Sequence, residues 1–234
     1  MRTKIPWDRA RPGRFSITEW EIDPARTALL VLDMQRGYAD PTMGVAQTLR
    51  RVQEVHQYYY SRLSTTVLPN ILRLREFFRA QGLEVIYTRM GSQLPSGRDL
   101  PPWSWRASRS GRPESNFFAR GSPEYEIVPE LAALPHELVL DKNSASPFAS
   151  TALDQLLRNM GVENLVVTGV LTNVAVESAA RDAGDRGYNV MAAEDGCAAY
   201  RQEEHEDTMA SATWWVVKTT EELLQTLGPL LAST

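Results

Sequence analysis

Short apolar runs alternate along the chain with longer segments in which apolar residues recur every three or four positions. The run at 27–33 (TALLVLD) is apolar almost throughout and ends in an acid, which is typical of a strand buried on both faces. Similar runs predict strands at 83–88, 137–141, 164–168, 188–193 and 214–217. Helical spacing predicts helices at 66–81, 151–160, 173–185, 203–212 and 220–225. This alternation predicts a Rossmann-like, three-layer α/β/α fold with a six-stranded, mostly parallel sheet.

The length of the chain sets its domain organisation. A chain of 234 residues suits one domain with one hydrophobic core, so we expect a single domain over 1–234. Residues 1–22 precede the first predicted strand and form an N-terminal extension. Residues 92–122 are rich in Pro, Gly, Ser and Arg, and a loop of that length in a compact domain usually serves function.

Charge and composition exclude several classes of protein. The net charge of −4 argues against nucleic-acid binding, which favours a basic surface. No apolar run approaches the roughly 20 residues that span a bilayer, and the N-terminus lacks the apolar core of a secretory signal. We therefore expect a cytoplasmic protein that does not enter membranes. The single cysteine, Cys197, excludes an internal disulfide and a cysteine metal cluster.

Candidate chemistry lies at the carboxyl ends of the predicted strands, where open α/β sheets bind ligands. Asp33 ends the first strand, where a carboxylate can transfer a proton or simply cap the following segment. Lys142 follows the third strand and can stabilise an anion there, although most lysines are solvated. The fourth strand runs through Gly169 into a helix that starts near Asn173. The N–H groups of that helix start suit an activated nucleophile or an oxyanion hole.

Three segments carry a resemblance to a known family: LDMQ at 32–35, DKNSASPFAST at 141–151 and GVLTNVAVESAARDAGDRGYNV at 169–190. In order and spacing they resemble the cysteine-hydrolase, or isochorismatase-like, superfamily. That superfamily includes isochorismatases, nicotinamidases, and ureidoacrylate, N-carbamoylsarcosine and biuret hydrolases. The match runs from about Asp23 to Leu227, which is nearly the whole chain.

The resemblance implies a role for each matching residue. Asp33 matches the general base, Lys142 the triad lysine, and Ala175 falls on the nucleophilic cysteine. The bond between Val170 and Leu171 matches the family's cis peptide. That bond implies an oxyanion hole formed by the N–H groups of Leu171 and residue 175. With a cysteine at 175, the resemblance implies an amidohydrolase that cleaves a small amide or ureido C–N bond through a thioester.

Ala175 departs from the family pattern, and because a methyl group cannot attack a carbonyl, three hypotheses stay open. The first is a deliberate Cys→Ala replacement, which leaves an inactive or severely impaired enzyme. The second is a natural isochorismatase-type hydrolase, which cleaves a vinyl ether without this cysteine and uses Asp33 as an acid. The third is a homologue that only binds a small molecule. Cys197 does not rescue the triad, and we expect it to be a packed small side chain.

The substrate pocket is harder to predict than the triad. We expect substrate contacts from Gln35, Tyr38, Arg89, Trp105, Phe148 and Asn173. For Arg89, a salt bridge to a neighbouring acid is an equally good interpretation. For Trp105, the equally good interpretation is burial at a subunit interface.

The resemblance also bears on cofactors and partners. Nicotinamidases of this superfamily carry an Asp and two His after the second strand, whereas TRMGSQLPSGRD at 88–99 has no histidine. We therefore expect no metal and no cofactor, with a small amide or ureido compound as substrate. Relatives are commonly dimers or tetramers, so a homo-oligomer is expected.

Overall fold

A six-stranded parallel sheet forms the centre of the computed structural model, which describes residues 3–6, 19–101, 118–212 and 215–231. The strands are β1 (Thr3–Pro6), β2 (Glu19–Ile22), β3 (Thr27–Leu32), β4 (Glu84–Met90), β5 (Leu138–Lys142), β6 (Asn164–Val170), β7 (Asn189–Ala198) and β8 (Val216–Lys218). The main sheet has the order β5-β4-β3-β6-β7-β8, and all its neighbouring strands are parallel. In the N-terminal extension, β1 and β2 form a separate antiparallel pair.

Helices lie between the strands of the main sheet along the chain, and a last helix follows the final strand. They are α1 (Arg36–Ala39), α2 (Ala46–Leu49), α3 (Gln53–Arg62), α4 (Leu68–Ala80), α5 (Pro147–Ser150), α6 (Leu153–Asn159), α7 (Glu177–Asp185), α8 (Gln202–Ala210) and α9 (Thr220–Leu231). Two π-helical turns, Leu63–Val67 and Thr172–Val176, lead into α4 and α7. In the described ranges, no helix is long and apolar enough to cross a bilayer.

The apolar run of β3 explains the three layers. All six of its residues are buried, and successive side chains point to opposite faces of the sheet. Leu29 and Val31 pack in a core with α3, α4 and α9, whereas Leu30 and Leu32 pack in a second core with α6 and α7. The predicted three-layer α/β/α fold is therefore confirmed.

The helix predicted at 66–81 is longer than its sequence pattern suggested. The helical segment begins at Gln53 and passes through the π-helical turn into α4. Because Pro69 has no N–H, an interruption of the regular helical hydrogen bonds is favoured beside it. The turn accommodates this interruption by donating the N–H of Leu68 to the carbonyl of Leu63. The residues of α3 are largely polar, so the spacing of apolar residues did not predict this helix.

The predicted fifth strand also ended too early. β7 continues to Ala198 past the acids Glu194 and Asp195, which the apolar pattern treated as its end. A register shift in its pairing with β6, between Val167 and Gly169, accommodates the irregular segment.

Gly169 lets the central strands approach each other beside the strand ends. It pairs in register with Leu32, and its φ is +109°, a conformation that side chains disfavour. A Cβ at this position would lie 2.0 Å from the carbonyl oxygen of Leu32, which is main chain and cannot easily move away. Only glycine fits at this contact between β3 and β6.

Gly169→Ala is therefore expected to destabilise the fold more than a matched change at Gly187. Gly187 has φ +87°, but a Cβ there would meet nothing within 4 Å among the described atoms. Gly187→Ala should thus report the backbone penalty alone, roughly 1–2 kcal/mol. The free energies of unfolding from urea titrations test this difference. Equal losses in the two variants would contradict the proposed contact.

Candidate active site

Asp33 and Lys142 form a buried ion pair at the carboxyl edge of the sheet. Lys142 Nζ lies 2.7 Å from Asp33 Oδ2, and both side chains are almost fully buried. Asp33 directly follows β3 and Lys142 ends β5, so the two come from strands on either side of β4. A buried ion pair is tolerated only if its remaining donors and acceptors also find partners.

The main chain and Thr88 hold the carboxylate of Asp33. Asp33 has φ +52°, which turns the chain sharply as it leaves β3. Its N–H donates to the carbonyl of Thr88 at 3.2 Å. The hydroxyl of Thr88, at the end of β4, donates to Asp33 Oδ1 at 2.6 Å. Each carboxylate oxygen therefore accepts from a fixed donor.

Lys142 has a partner for each of its three protons. Besides Asp33, its ammonium donates to the carbonyls of Ser144 and Ala145, at 3.0 Å each. Both carbonyls belong to the loop between β5 and α5. An ammonium has three donors, so this arrangement fixes its position and leaves its charge to act through space.

A cavity of about 70 Å³ opens beside this pair. It is lined by Asp33, Tyr38, Met90, Lys142, Ala145, Val170, Leu171, Val174 and Ala175. The cavity thus brings together the predicted base, the predicted lysine, the nucleophile position and the predicted oxyanion residue Leu171. Apart from the ion pair and Tyr38, the side chains in this lining are apolar.

The wall that carries position 175 is a strand-to-helix turn. The peptide bond between Val170 and Leu171 is cis, and Thr172–Val176 forms a π-helical turn that leads into α7. The carbonyl of Leu171 accepts from the N–H groups of Val174 and Val176, at 3.1 and 3.2 Å. These two bonds bracket Ala175 in the sequence, and Ala175 is buried and lines the cavity.

Tyr38 also lines the cavity. Its ring stacks on Phe118, with the ring centroids 4.5 Å apart. Burial, together with nearby Tyr200 and Asp33, raises the pKa of Tyr38 well above its usual value. The phenol therefore stays protonated and is a hydrogen-bond donor rather than an anion.

Two residues expected to contact substrate instead support the structure of the site. Gln35 is fully buried, and its side-chain amide bonds the main chain of Met90 and the carbonyl of Tyr125. Arg89 donates to Asp141 at 2.7 Å and to Glu126 at 3.2 Å. Successive strand residues point to opposite faces, so Met90 reaches the cavity while its neighbour Arg89 does not. The salt-bridge alternative for Arg89 is the one the structure contains.

Two further expected contacts, Phe148 and Asn173, are also absent from the described part of the cavity lining. Phe148 packs in the second core beside Tyr188, with the ring centroids 6.0 Å apart. Asn173 lies in the π-helical turn outside the lining, and no described group donates to its buried Oδ1. Trp105 lies outside the described residues.

Sequence reasoning missed Thr88 as part of the site. Thr88 lies near the end of β4 and pairs in register with Leu32, the residue before Asp33. The rule that ligands bind at strand ends pointed to this position. Threonine in an apolar run, however, is also an ordinary strand residue.

Cys197 takes no part in the cavity. It is fully buried within β7 in the second core, as its predicted packing role requires. Burial raises the pKa of its thiol to about 12, so the thiol stays neutral near neutral pH. Within the described ranges, no group of three or more His, Cys, Asp or Glu side chains is arranged to hold a metal ion.

Comparison with known proteins identifies related sequences and structures. The sequence model of the isochorismatase domain family matches residues 27–222 of this chain. The chain is 32% identical over 170 residues to the ureidoacrylate amidohydrolase RutB of Caulobacter segnis, covering 69% of this chain and 67% of that protein. It is 35% identical over 182 residues to RutB of Pantoea ananatis, covering 74% and 67%. A solved cysteine hydrolase from Pseudomonas syringae pv. phaseolicola has a TM-score of 0.74 at 26% identity, covering 90% of this chain and 96% of that one.

Removing either partner of the ion pair is expected to destabilise the protein strongly. Lys142→Met or Asp33→Asn would leave the other polar group buried without its partner, which costs roughly 3–5 kcal/mol. The double variant should lose less than the sum of the two single losses, because it leaves neither charge unpaired. Free energies of unfolding from urea titrations give all three values.

Glu177→Gln is the control for this prediction, since it weakens the partly exposed pair with Arg181 on α7. We expect it to cost less than about 1 kcal/mol. Single variants at the buried pair that lose no more than this control would show that the pair contributes little to the fold.

Proposed function

This chain belongs to the isochorismatase family, and we propose that its site is built to hydrolyse the C–N bond of a small amide or ureido substrate. The observation that carries the proposal is the shared cavity of Asp33, Lys142 and Ala175. A carboxylate, an ammonium and a helix start around one small space are what thiol-dependent acyl transfer requires. The chain has alanine at the nucleophile position, so we expect it to be inactive or severely impaired as it stands.

The proposed mechanism begins with a thiol in place of the Ala175 methyl group. Asp33 takes the thiol proton, and the thiolate attacks the substrate carbonyl. The positive charge of Lys142 and the helix start favour the thiolate. The oxyanion is held by the N–H groups of Leu171 and residue 175, and such a donor is often worth about 3–4 kcal/mol.

The second half of the reaction uses the same carboxylate. Asp33 returns its proton to the departing ammonia or amine as the C–N bond breaks. Asp33 then takes a proton from a water molecule, which attacks the thioester. As the C–S bond breaks, Asp33 returns this proton to the departing thiolate, so the acid and the free thiol are released. Lys142 has all three protons engaged, so its role is to hold Asp33 and to supply charge.

The size and lining of the cavity support a small carbonyl group. Its volume of about 70 Å³ lies far below the roughly 300–1,000 Å³ of pockets that enclose a drug-sized ligand. The described walls therefore suit only the reacting end of a substrate. Tyr38 also lines the cavity, and because its phenol stays protonated it can donate to the carbonyl oxygen of a substrate. The named activities of the RutB relatives favour a ureido substrate.

Ala175 itself favours two further candidate functions. A site that keeps Asp33 but has no thiol matches the isochorismatase-type hydrolysis of a vinyl ether, in which the carboxyl group acts as an acid. A site that keeps its cavity without any chemistry matches a small-molecule-binding homologue. Both alternatives concern the chain as it stands and are tested beside the first proposal.

Ala175→Cys is expected to create amidohydrolase activity. Ammonia release from a panel of ureido acids, N-carbamoyl amino acids, biuret and simple amides should rise at least about 10³-fold over the unaltered chain. Adding Asp33→Asn should abolish the gain, because no base then takes the thiol proton. Val174→Cys is the matched control, since it places a thiol on the same cavity wall but one residue away from the turn position.

The outcomes separate the three candidates. Ammonia release by the Ala175→Cys protein, without activity in the unaltered chain, supports the amidohydrolase. Hydrolysis of isochorismate by the unaltered chain, lost in Asp33→Asn, would instead support the isochorismatase. Binding of a panel compound by a folded Ala175→Cys protein that turns over none of the panel would support the binding protein.

A further inference from the structure

His205 lies behind the turn that carries Leu171 and Ala175, outside the cavity, and contacts that turn directly. It belongs to α8 and is 6% exposed. Its Nδ1 lies 2.9 Å from the hydroxyl of Thr172, the first residue of the π-helical turn, which is fully buried. The family resemblance assigns His205 no role, and the proposed mechanism does not use it.

Arg62 determines which ring nitrogen of His205 carries the proton. The guanidinium of Arg62 lies 2.9 Å from His205 Nε2. A guanidinium only donates, so Nε2 must accept and must carry no proton. The proton of the neutral ring is then on Nδ1, where it is donated to the hydroxyl oxygen of Thr172. Burial, and then Arg62, lower the pKa of His205 to about 4, so the ring stays neutral near neutral pH.

Arg62 is in turn fixed to the sheet. Its Nε donates to the carbonyl of Cys197 and its Nη2 to the carbonyl of Glu194, at 3.0 Å each. Both carbonyls belong to β7, which pairs with β6. A chain of directed hydrogen bonds thus runs from β7 through the end of α3 and through α8 to the turn after β6.

We propose that His205 is a positioning residue that, through Thr172, holds the oxyanion turn in its reactive geometry. Thr172 lies between Leu171 and Ala175, so a shift of its side chain moves the main chain on which both proposed N–H donors lie. Oxyanion stabilisation depends on donors held in place before the reaction, and displacements near 1 Å can cost about a hundredfold in rate. This inference rests on the proposed function.

Two substitutions of His205 test the contacts of its two ring nitrogens separately. In His205→Gln, the longer amide reaches the Nε2 position and keeps an acceptor for Arg62, but it loses the donor to Thr172. In His205→Asn, the shorter amide keeps a donor near the Nδ1 position and loses the acceptor for Arg62. Thr172→Val removes the hydroxyl with little change of shape. Thr208→Val is the matched control, because its buried hydroxyl donates to the carbonyl of Glu204 within α8 and, among the described residues, bonds no part of the turn.

The variants are made in the Ala175→Cys protein, and kcat and KM are measured on its best substrate. His205→Gln and Thr172→Val should each lower kcat about ten- to a hundredfold with little change in KM. Combining them should add little further loss, since both break the same bond. His205→Asn should retain most of kcat, and Thr208→Val should leave kcat unchanged. Equal losses in His205→Gln and His205→Asn, or a loss confined to KM, would overturn the proposal.

Thiol reactivity gives a second readout that needs no substrate. The rate of alkylation by iodoacetamide is followed against pH for the thiol introduced by Ala175→Cys, with buried Cys197 expected to stay unreactive. His205→Gln should raise the apparent pKa of the introduced thiol, and His205→Asn should raise it less. If Ala175→Cys turns over no panel compound but this pattern appears, the proposed substrate class fails and the positioning role stands. If His205→Gln moves neither the thiol pKa nor kcat, the positioning role is wrong.

Discussion

The buried ion pair between Asp33 and Lys142 is the constraint on which the rest of the site depends. Removing two charges from water is costly, and the pair is tolerable only because every remaining donor and acceptor is satisfied. Thr88 supplies the second carboxylate contact, and the carbonyls of Ser144 and Ala145 take the remaining protons of the ammonium. The same hydrogen bonds therefore also fix the loop after β5 and the end of β4 beside the ion pair.

The strand order makes this pair possible. In the order β5-β4-β3-β6, the end of β4 lies between the strand that carries Lys142 and the strand that precedes Asp33. Thr88 and Met90 therefore lie at the centre of the site, one bonding the carboxylate and the other lining the cavity. On the other side of β3, β6 can approach closely because Gly169 has no side chain, and it delivers the turn at residues 171–175 to the same space.

Much of this arrangement could be predicted from the sequence, and the failures have a common cause. The alternating apolar runs predicted the sheet, and the rule of strand ends together with the family resemblance predicted Asp33, Lys142, Leu171 and position 175. What the pattern could not resolve was the direction of each side chain. Arg89 and Met90 are neighbours at one strand end, yet of the two only Met90 lines the described cavity. Successive strand residues point to opposite faces, and Arg89 pairs with Asp141 on the other face.

The same limit applies to buried polar residues. Gln35 and His205 are both buried and hydrogen-bonded, and neither lines the described cavity. Their partners, Tyr125 and Thr172, lie 90 and 33 residues away along the chain. No local pattern links residues at such separations, so sequence reasoning assigned Gln35 to the substrate and gave His205 no place in the site. Both instead support the walls of the site from behind.

Position 175 is structurally independent of this framework. Each partner of the ion pair obtains its contacts from β4, from the loop after β5 or from the other partner, and none of these contacts involves residue 175. The turn that carries Ala175 is held separately, by the main-chain bonds to Leu171 and by the hydroxyl of Thr172. A thiol at this position would add reactivity to a site whose geometry is already complete without it. The fold therefore tolerates alanine at position 175. The framework around Ala175 stays intact because the fold requires it, whether or not residue 175 carries a thiol.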